Sequence, residues 1–441
     1  MTRVARLSTA LFSFIAAVSL ACADPERVSD PRSALSLDRT TAPGLDLACS
    51  DQPGNHHARR PNAPVELLCA FSLPSGSSPI LNGTKSWVYG GRYYLTELKN
   101  GSVYIFDHVT HANVGVVTGF VGSTGVAATS GPNSITFSGD GHAWVSDGIS
   151  AVRVVDLSTN SIVKTIGTAI AACDNGTVHN CQRTNEITYD PEHGIIFVQN
   201  PSPLSVTTGA AIDTYGTFID AATYAVLGTI TFADRRGQEA PLWDADQHRI
   251  LTAVSGRAVI TGTDTTVFQQ YVAVIDPTVR PFTIESKHYL DCTAITPGVA
   301  KNVFGVNDPA LGADGRMVIP ACGRAVLLDA RSGAVTAVMP VGGGNETWYN
   351  SGDGNFYVTG ANFSTTPVGP NSLGVIDARS STLLQYVTAV GATNPAAAAE
   401  NNEIFAVVPA STATTGNACT AFGFQASGCI LVFAHVPGAA N

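Results

Sequence analysis

The chain has 441 residues, a formal net charge of −10 and only 13% charged residues, with 43 glycines. An acidic balance without a basic run argues against nucleic acid and anionic membrane surfaces as partners. The glycine-rich, weakly charged composition suits β-structure with many tight turns.

In chain order, Arg3 and Arg6 precede an apolar run from Leu7 to Ala21, then Ala21-Cys22-Ala23. A basic region, a short apolar core and a small-x-small site predict a secretory signal peptide over 1–23. Cleavage after Ala23 releases a free protein, whereas cleavage before Cys22 leaves a lipid anchor there. Ser19 stands where a bacterial lipoprotein box prefers Leu, which favours simple secretion. No later stretch is long and apolar enough for a transmembrane helix. Residues 24–64 lack periodicity and read as a flexible tether. The expected location is exported: periplasmic, cell-surface or extracellular.

From residue 65 onward one pattern recurs. Its clearest copy is residues 135–168, ITFSGDGHAWVSDGISAVRVVDLSTNSIVKTIGT, which reads as four strands joined by turns. Seven such copies predict an all-β fold, a seven-bladed β-propeller of four-stranded antiparallel blades over 65–441. The third strand of six copies ends in Asp107, Asp156, Asp220, Asp276, Asp329 or Asp377. An Asp there accepts backbone N–H groups in the next turn, a structural role rather than a catalytic one. The seventh copy, ending near Val432-Phe433-Ala434, lacks an outermost strand, while Val65–Phe71 is a strand without a blade. The N-terminal strand is therefore expected to close the ring.

Nine cysteines fit an oxidising compartment. Leaving Cys22 aside, they fall as neighbours: Cys49/Cys69, Cys173/Cys181, Cys292/Cys322 and Cys419/Cys429. Three couples lie in or beside long segments that emerge on one face: the connections between blades and the loops from second to third strand. Those loops swell at 200–213, 255–266, 360–371 and 410–426, and the connections at 169–185 and 291–307 are long too. Shared facing makes neighbour pairing sterically plausible and would stiffen the loops. The face opposite carries tight turns. No Cys-x-x-Cys, haem, nucleophile-elbow or phosphate-loop motif is present.

Blade 2 resembles the YVTN-type repeat of secreted seven-bladed propellers, the YncE and lactonase-like group. The matching elements are Ser138-Gly139-Asp140-Gly141, Trp144-Val145-Ser146-Asp147 and Val155-Asp156-Leu157-Ser158-Thr159-Asn160. Other blades depart through insertions, and no copy spells the YVTN tetrapeptide. The resemblance implies a fold and an exported location but no single activity.

At the start of each innermost strand the sequence offers Lys85, Asn133, Asn185, Glu239, Asn307, Asn345 and Asn394, with Glu186, Asp308 and Glu346 following three of them. This axial ring is the candidate site for a ligand or substrate. Its oxygens suit Ca²⁺ or Mg²⁺, with Asn185, Glu239 and Asn307 the candidate ligands. Calcium-dependent propeller hydrolases of the paraoxonase and gluconolactonase type are similar in residue type at analogous positions. Trp87, Trp144, Trp243 and Trp348 read as blade-packing residues of inner strands, and His111 as a lone loop residue. Two functions remain open. One is an exported scaffold that binds a protein or small polar ligand through its loop-rich, disulfide-stapled face. The other is a propeller hydrolase, lactonase or lyase with an axial polar site that uses a divalent cation.

Overall fold

The computed structural model describes residues 49, 64–81, 83–233, 237–261, 264–296, 305–342, 344–362, 369–412 and 416–435. The expected signal peptide, the anchor position Cys22 and most of the tether lie outside them. Seven antiparallel sheets follow one another along the chain, each with strands in sequence order from the axis outward. Blade 1 spans 83–118, blade 2 134–167, blade 3 187–232, blade 4 238–289, blade 5 310–339, blade 6 341–388 and blade 7 393–435. Blade 7 takes its outermost strand from Val65–Phe71, which pairs with Cys429–His435 from Val65↔His435 to Phe71↔Ile430. The seam buries Val65, Cys69, Ala70 and Phe71, so the ring closes on apolar packing as well as ladder hydrogen bonds.

The turn aspartates do what their pattern predicts. Asp156 Oδ1 accepts the Ser158 and Thr159 amides and the Ser158 hydroxyl. Asp107, Asp220, Asp276, Asp329 and Asp377 accept amide and hydroxyl hydrogens in the same way. Each motif supplies the backbone of the last turn with an acceptor that water would otherwise provide.

All four cysteine couples are disulfides between sequence neighbours, Cys49–Cys69, Cys173–Cys181, Cys292–Cys322 and Cys419–Cys429. Two of the expected loops are different in kind. Residues 255–266 contain much of a raised hairpin, Arg257–Thr261 against Asp264–Phe268. In blade 6 the second and third strands themselves run long, Asn355–Asn362 and Gly369–Asp377. The 257–268 hairpin is a two-stranded sheet of its own, whereas in blade 6 the long pair is a continuation of the blade ladder. Trp144 is also not on an innermost strand: it lies on the second strand of blade 2, fully buried, with Nε1 donating to Ser138 Oγ at 3.1 Å. Among the described residues no helix is long and apolar enough to cross a membrane.

Candidate functional site

Successive side chains of a strand point to opposite faces of its sheet, so Lys85, Trp87 and Tyr89 share one face of the innermost strand of blade 1. Lys85 lies toward the loop-rich mouth and Tyr89 toward the turn mouth. Local irregularity marks the ring positions. The ladder register shifts at Gly83/Lys85, at Glu239/Pro241 and at Thr393/Ala396. In blade 6 the inner strand is split into Val341–Gly342 and Thr347–Asn350, with Glu346 next to the gap. Bulges of this sort re-aim a side chain without disturbing the strands beyond them. Asn394 carries a positive φ of 50°, a left-handed conformation that Asn tolerates better than most residues.

Lys85 is the centre of the ring. Its Nζ lies 2.9 Å from Asp308 Oδ2, 3.3 Å from Glu186 Oε2 and 3.7 Å from Glu346 Oε2, and all four side chains are buried. A blade 1 side chain can touch blades 3, 5 and 6 only from the axis. Asp308 also links to blade 4, its Oδ1 accepting the Ala240 amide at 2.9 Å. Among the described residues neither oxygen of Glu346 accepts a hydrogen bond.

One ammonium thus faces three carboxylates in a dry layer, and the protonation states follow from that. Burial works to strip Lys85 of its proton, yet the charges of Asp308, Glu186 and Glu346 outweigh it and hold the amine well above its ordinary pKa. Burial first, then repulsion from Asp308, pushes Glu186 up to about 7 against the pull of Lys85. Glu346 is raised well above a normal carboxylate by burial, which Lys85 opposes and Asp308 and Glu186 reinforce. Glu239 is raised by burial and by repulsion from Asp308 and Glu186, with Arg183 and Lys85 opposing. These directions are what desolvation and like charge require.

The remaining candidates form an outer tier at the loop-rich mouth. Asn185 Nδ2 donates to Glu239 Oε2 at 3.4 Å. Asn133 Nδ2 donates to the Ser130 and Thr184 carbonyls, and its oxygen accepts from Arg183 Nη1 at 3.2 Å. Asn307 Nδ2 is turned to the Gly344 carbonyl at 2.6 Å. Asn345 is exposed, and Asn394 is buried in its own blade. Arg183 is a site residue that the sequence reading missed; it lies in a connection between blades, where no strand alternation marks which side chains reach the axis.

A divalent cation does not fit among the converging carboxylates of the ring beside a charged Lys85. The carboxylates that converge are Glu186, Asp308 and Glu346, whose oxygens lie within 4.8 Å of one another. Lys85 stands within 3.7 Å of each. A second positive centre there meets direct repulsion in a low-dielectric layer. Of the ligands expected from the sequence, Asn185 and Glu239 are joined by a hydrogen bond, and Asn307 Nδ2 donates to the Gly344 carbonyl. The lysine does internally what a bound cation does elsewhere: it neutralises carboxylates that would repel.

Below the ionic layer the channel widens. Trp87 and Trp348, from blades 1 and 6, meet edge to face at 5.0 Å. A cavity of about 720 Å³ opens toward the tight turns, with Trp87 and Trp243 among its walls. These two tryptophans pack against the blade cores, as expected, and also present a side to the channel. His111 is not a lone loop residue: it is buried, its Nε2 lies 3.3 Å from Glu403 Oε2, and it stacks on Phe71 of the closing strand. No protein-family model matches the chain, and no curated protein matches it.

Proposed function

We propose that the chain is an exported binding propeller whose loop-rich face holds a protein partner or a small polar ligand. The observation that carries this reading is a layer of cross-tied loops around the outer tier of the ring. Cys173–Cys181 and Cys419–Cys429 staple two of the loops. Leu204 N donates to Asn180 O at 2.9 Å and Val206 N to Ala172 O at 3.1 Å, joining segment 170–181 to segment 201–213. Across blade 7, Ile80 N donates to Ser427 O and Ala410 N to Ile80 O, at 2.8 and 2.6 Å. Loops held this way present side chains without a large ordering cost on binding. Arg183, Asn185, Glu239, Asn307 and Asn345 give their centre mixed hydrogen-bonding character.

Export rests on the basic and apolar N-terminus and on the four disulfides. Mass spectrometry of the exported protein should find an N-terminus at Asp24; a diacylated Cys22 would replace free secretion with anchoring. Kinship with YVTN-type propellers rests on the elements of blade 2.

Hydrogen exchange during a ligand screen tests the binding reading. Protection should concentrate in 170–186, 201–213 and 409–428, and protection found only on the turn face would overturn it. The hydrolase, lactonase or lyase reading is favoured by the buried Glu186, whose Oε2 lies 3.3 Å from Lys85 Nζ: burial and the charge of Asp308 push its carboxyl up to about 7, into the range where general acid–base chemistry is effective. Turnover of lactones or esters that Glu239→Gln or Glu186→Gln abolishes would establish it instead.

A further inference from the structure

The turn-side cavity, at the end of the axis away from the stapled loops, has a composition of its own. Its walls include the rings of Trp87, Tyr89, Phe137, Tyr189, Trp243 and Tyr349. The rings are held in place: Tyr89 stacks on Phe137 at 4.3 Å and 10°, and Trp87 is braced by Trp348. No Lys, Arg or His lines the cavity, and the charged residues that do are Asp244 and Asp246. Asp244 Oδ1 accepts the amides of Asp246 and Gln247, which fixes the turn and leaves Asp246 exposed at the mouth. The first-hairpin turns of four further blades carry Asp140, Glu192, Asp314 and Glu400, all exposed. The turn side therefore carries carboxylates from five blades, of which Asp140 is paired with His142 and Glu192 with His193 and His248, and is backed by π faces.

Aromatic faces carry negative electrostatic potential, and an acidic rim raises the local concentration of cations. An inorganic ion finds no converging set of oxygens among these walls. Ser138 is already committed, donating to Asp140 and accepting from Trp144. We propose that this cavity binds a small organic cation of the quaternary or substituted ammonium class, its charged methyl groups packed on the rings of Trp87, Trp243 and Tyr349 and its charge complemented by Asp246. The site is separate from the loop-rich face and does not depend on what binds there.

The test is a titration of the intact protein with choline, against its neutral isostere 3,3-dimethyl-1-butanol, followed by tryptophan fluorescence and calorimetry. Choline should bind saturably and about tenfold more tightly than the neutral isostere, the preference that cation–π contacts supply. Asp246→Asn, a surface change that leaves folding intact, should weaken choline severalfold without altering the isostere. Trp243→Leu, with circular dichroism and melting matching the parent, should reduce the fluorescence response to that of Trp87 and weaken choline severalfold. Equal binding of the two probes, or no saturable binding of choline, would overturn the proposal.

Discussion

Lys85 of blade 1 and Asp308 of blade 5 meet at 2.9 Å across the axis, joining two blades that are far apart in sequence and not adjacent in the ring. The propeller is thus closed twice, once at its rim by the Val65–Phe71 seam and once at its centre by charge.

Replacing Lys85 by Met should destabilise the protein by about 3–5 kcal/mol at neutral pH, because the carboxylates left behind stay buried without their counter-ion. Acidification should restore much of the loss, since protonated acids need no counter-ion. Urea unfolding at pH 7 and pH 5 measures both; an unchanged midpoint at pH 7 would show that the charges are not coupled to folding.

The pH profile of the native protein follows from two opposed groups. The turn aspartates, with Asp156 and Asp220 held low by hydroxyl and amide hydrogen bonds, contribute stability above their ordinary value of 3.8. That contribution disappears as pH falls through the lowered pKa. Glu186 is raised from 4.5 to about 7, so its contribution is complete below 4.5 and disappears as pH rises through 7. Melting temperature should therefore peak on the mildly acidic side of neutral. Glu186→Gln should flatten the decline between pH 5 and 7, and a decline of unchanged slope would contradict the assignment.

The disulfides should rank by the loops they close. Loop-closure entropy gives about 3–4 kcal/mol for Cys292–Cys322 and about 2–3 kcal/mol for Cys173–Cys181, with sequence separations of 30 and 8. Paired Cys→Ala variants compared by chemical denaturation test that order, and the reverse ranking would mean that local packing outweighs chain entropy.

A proline at Ala70 sets a rigid ring without an N–H opposite Leu431 in a fully buried stretch. Ala70→Pro should open the seam and leave Cys429–His435 as a bare edge, seen as concentration-dependent light scattering. A monomeric, native-like variant would show that closure does not rely on this strand.

Much of the architecture was legible in the residues themselves. Alternation and the Asp-terminated third strands mark blades because both are local properties of a strand and its next turn. Val65–Phe71 was identifiable because blade 7 ran out of chain before its last strand. The axial cluster was legible only as a list. Lys85, Glu186, Asp308 and Glu346 stand at equivalent places, but their meeting depends on bulges and on which blades oppose, and neither is local. The outer tier was harder still, since Arg183 lies in a connection without periodicity. The aromatic cavity was not legible for a related reason: Trp87 and Trp243 pack on blade cores as their pattern predicts, and nothing local marks that they also face the channel.

The seam between Val65–Phe71 and Cys429–His435 also sets an order of events. The first strand of the propeller has no partner until the strand beginning at Cys429 exists, so every growing chain carries an unpaired, largely buried-type segment for the whole time the blades are being made. Whatever protects that segment, whether early packing of Phe71 against His111 and Phe106 of blade 1 or a helper protein, governs how much of the chain reaches the closed ring.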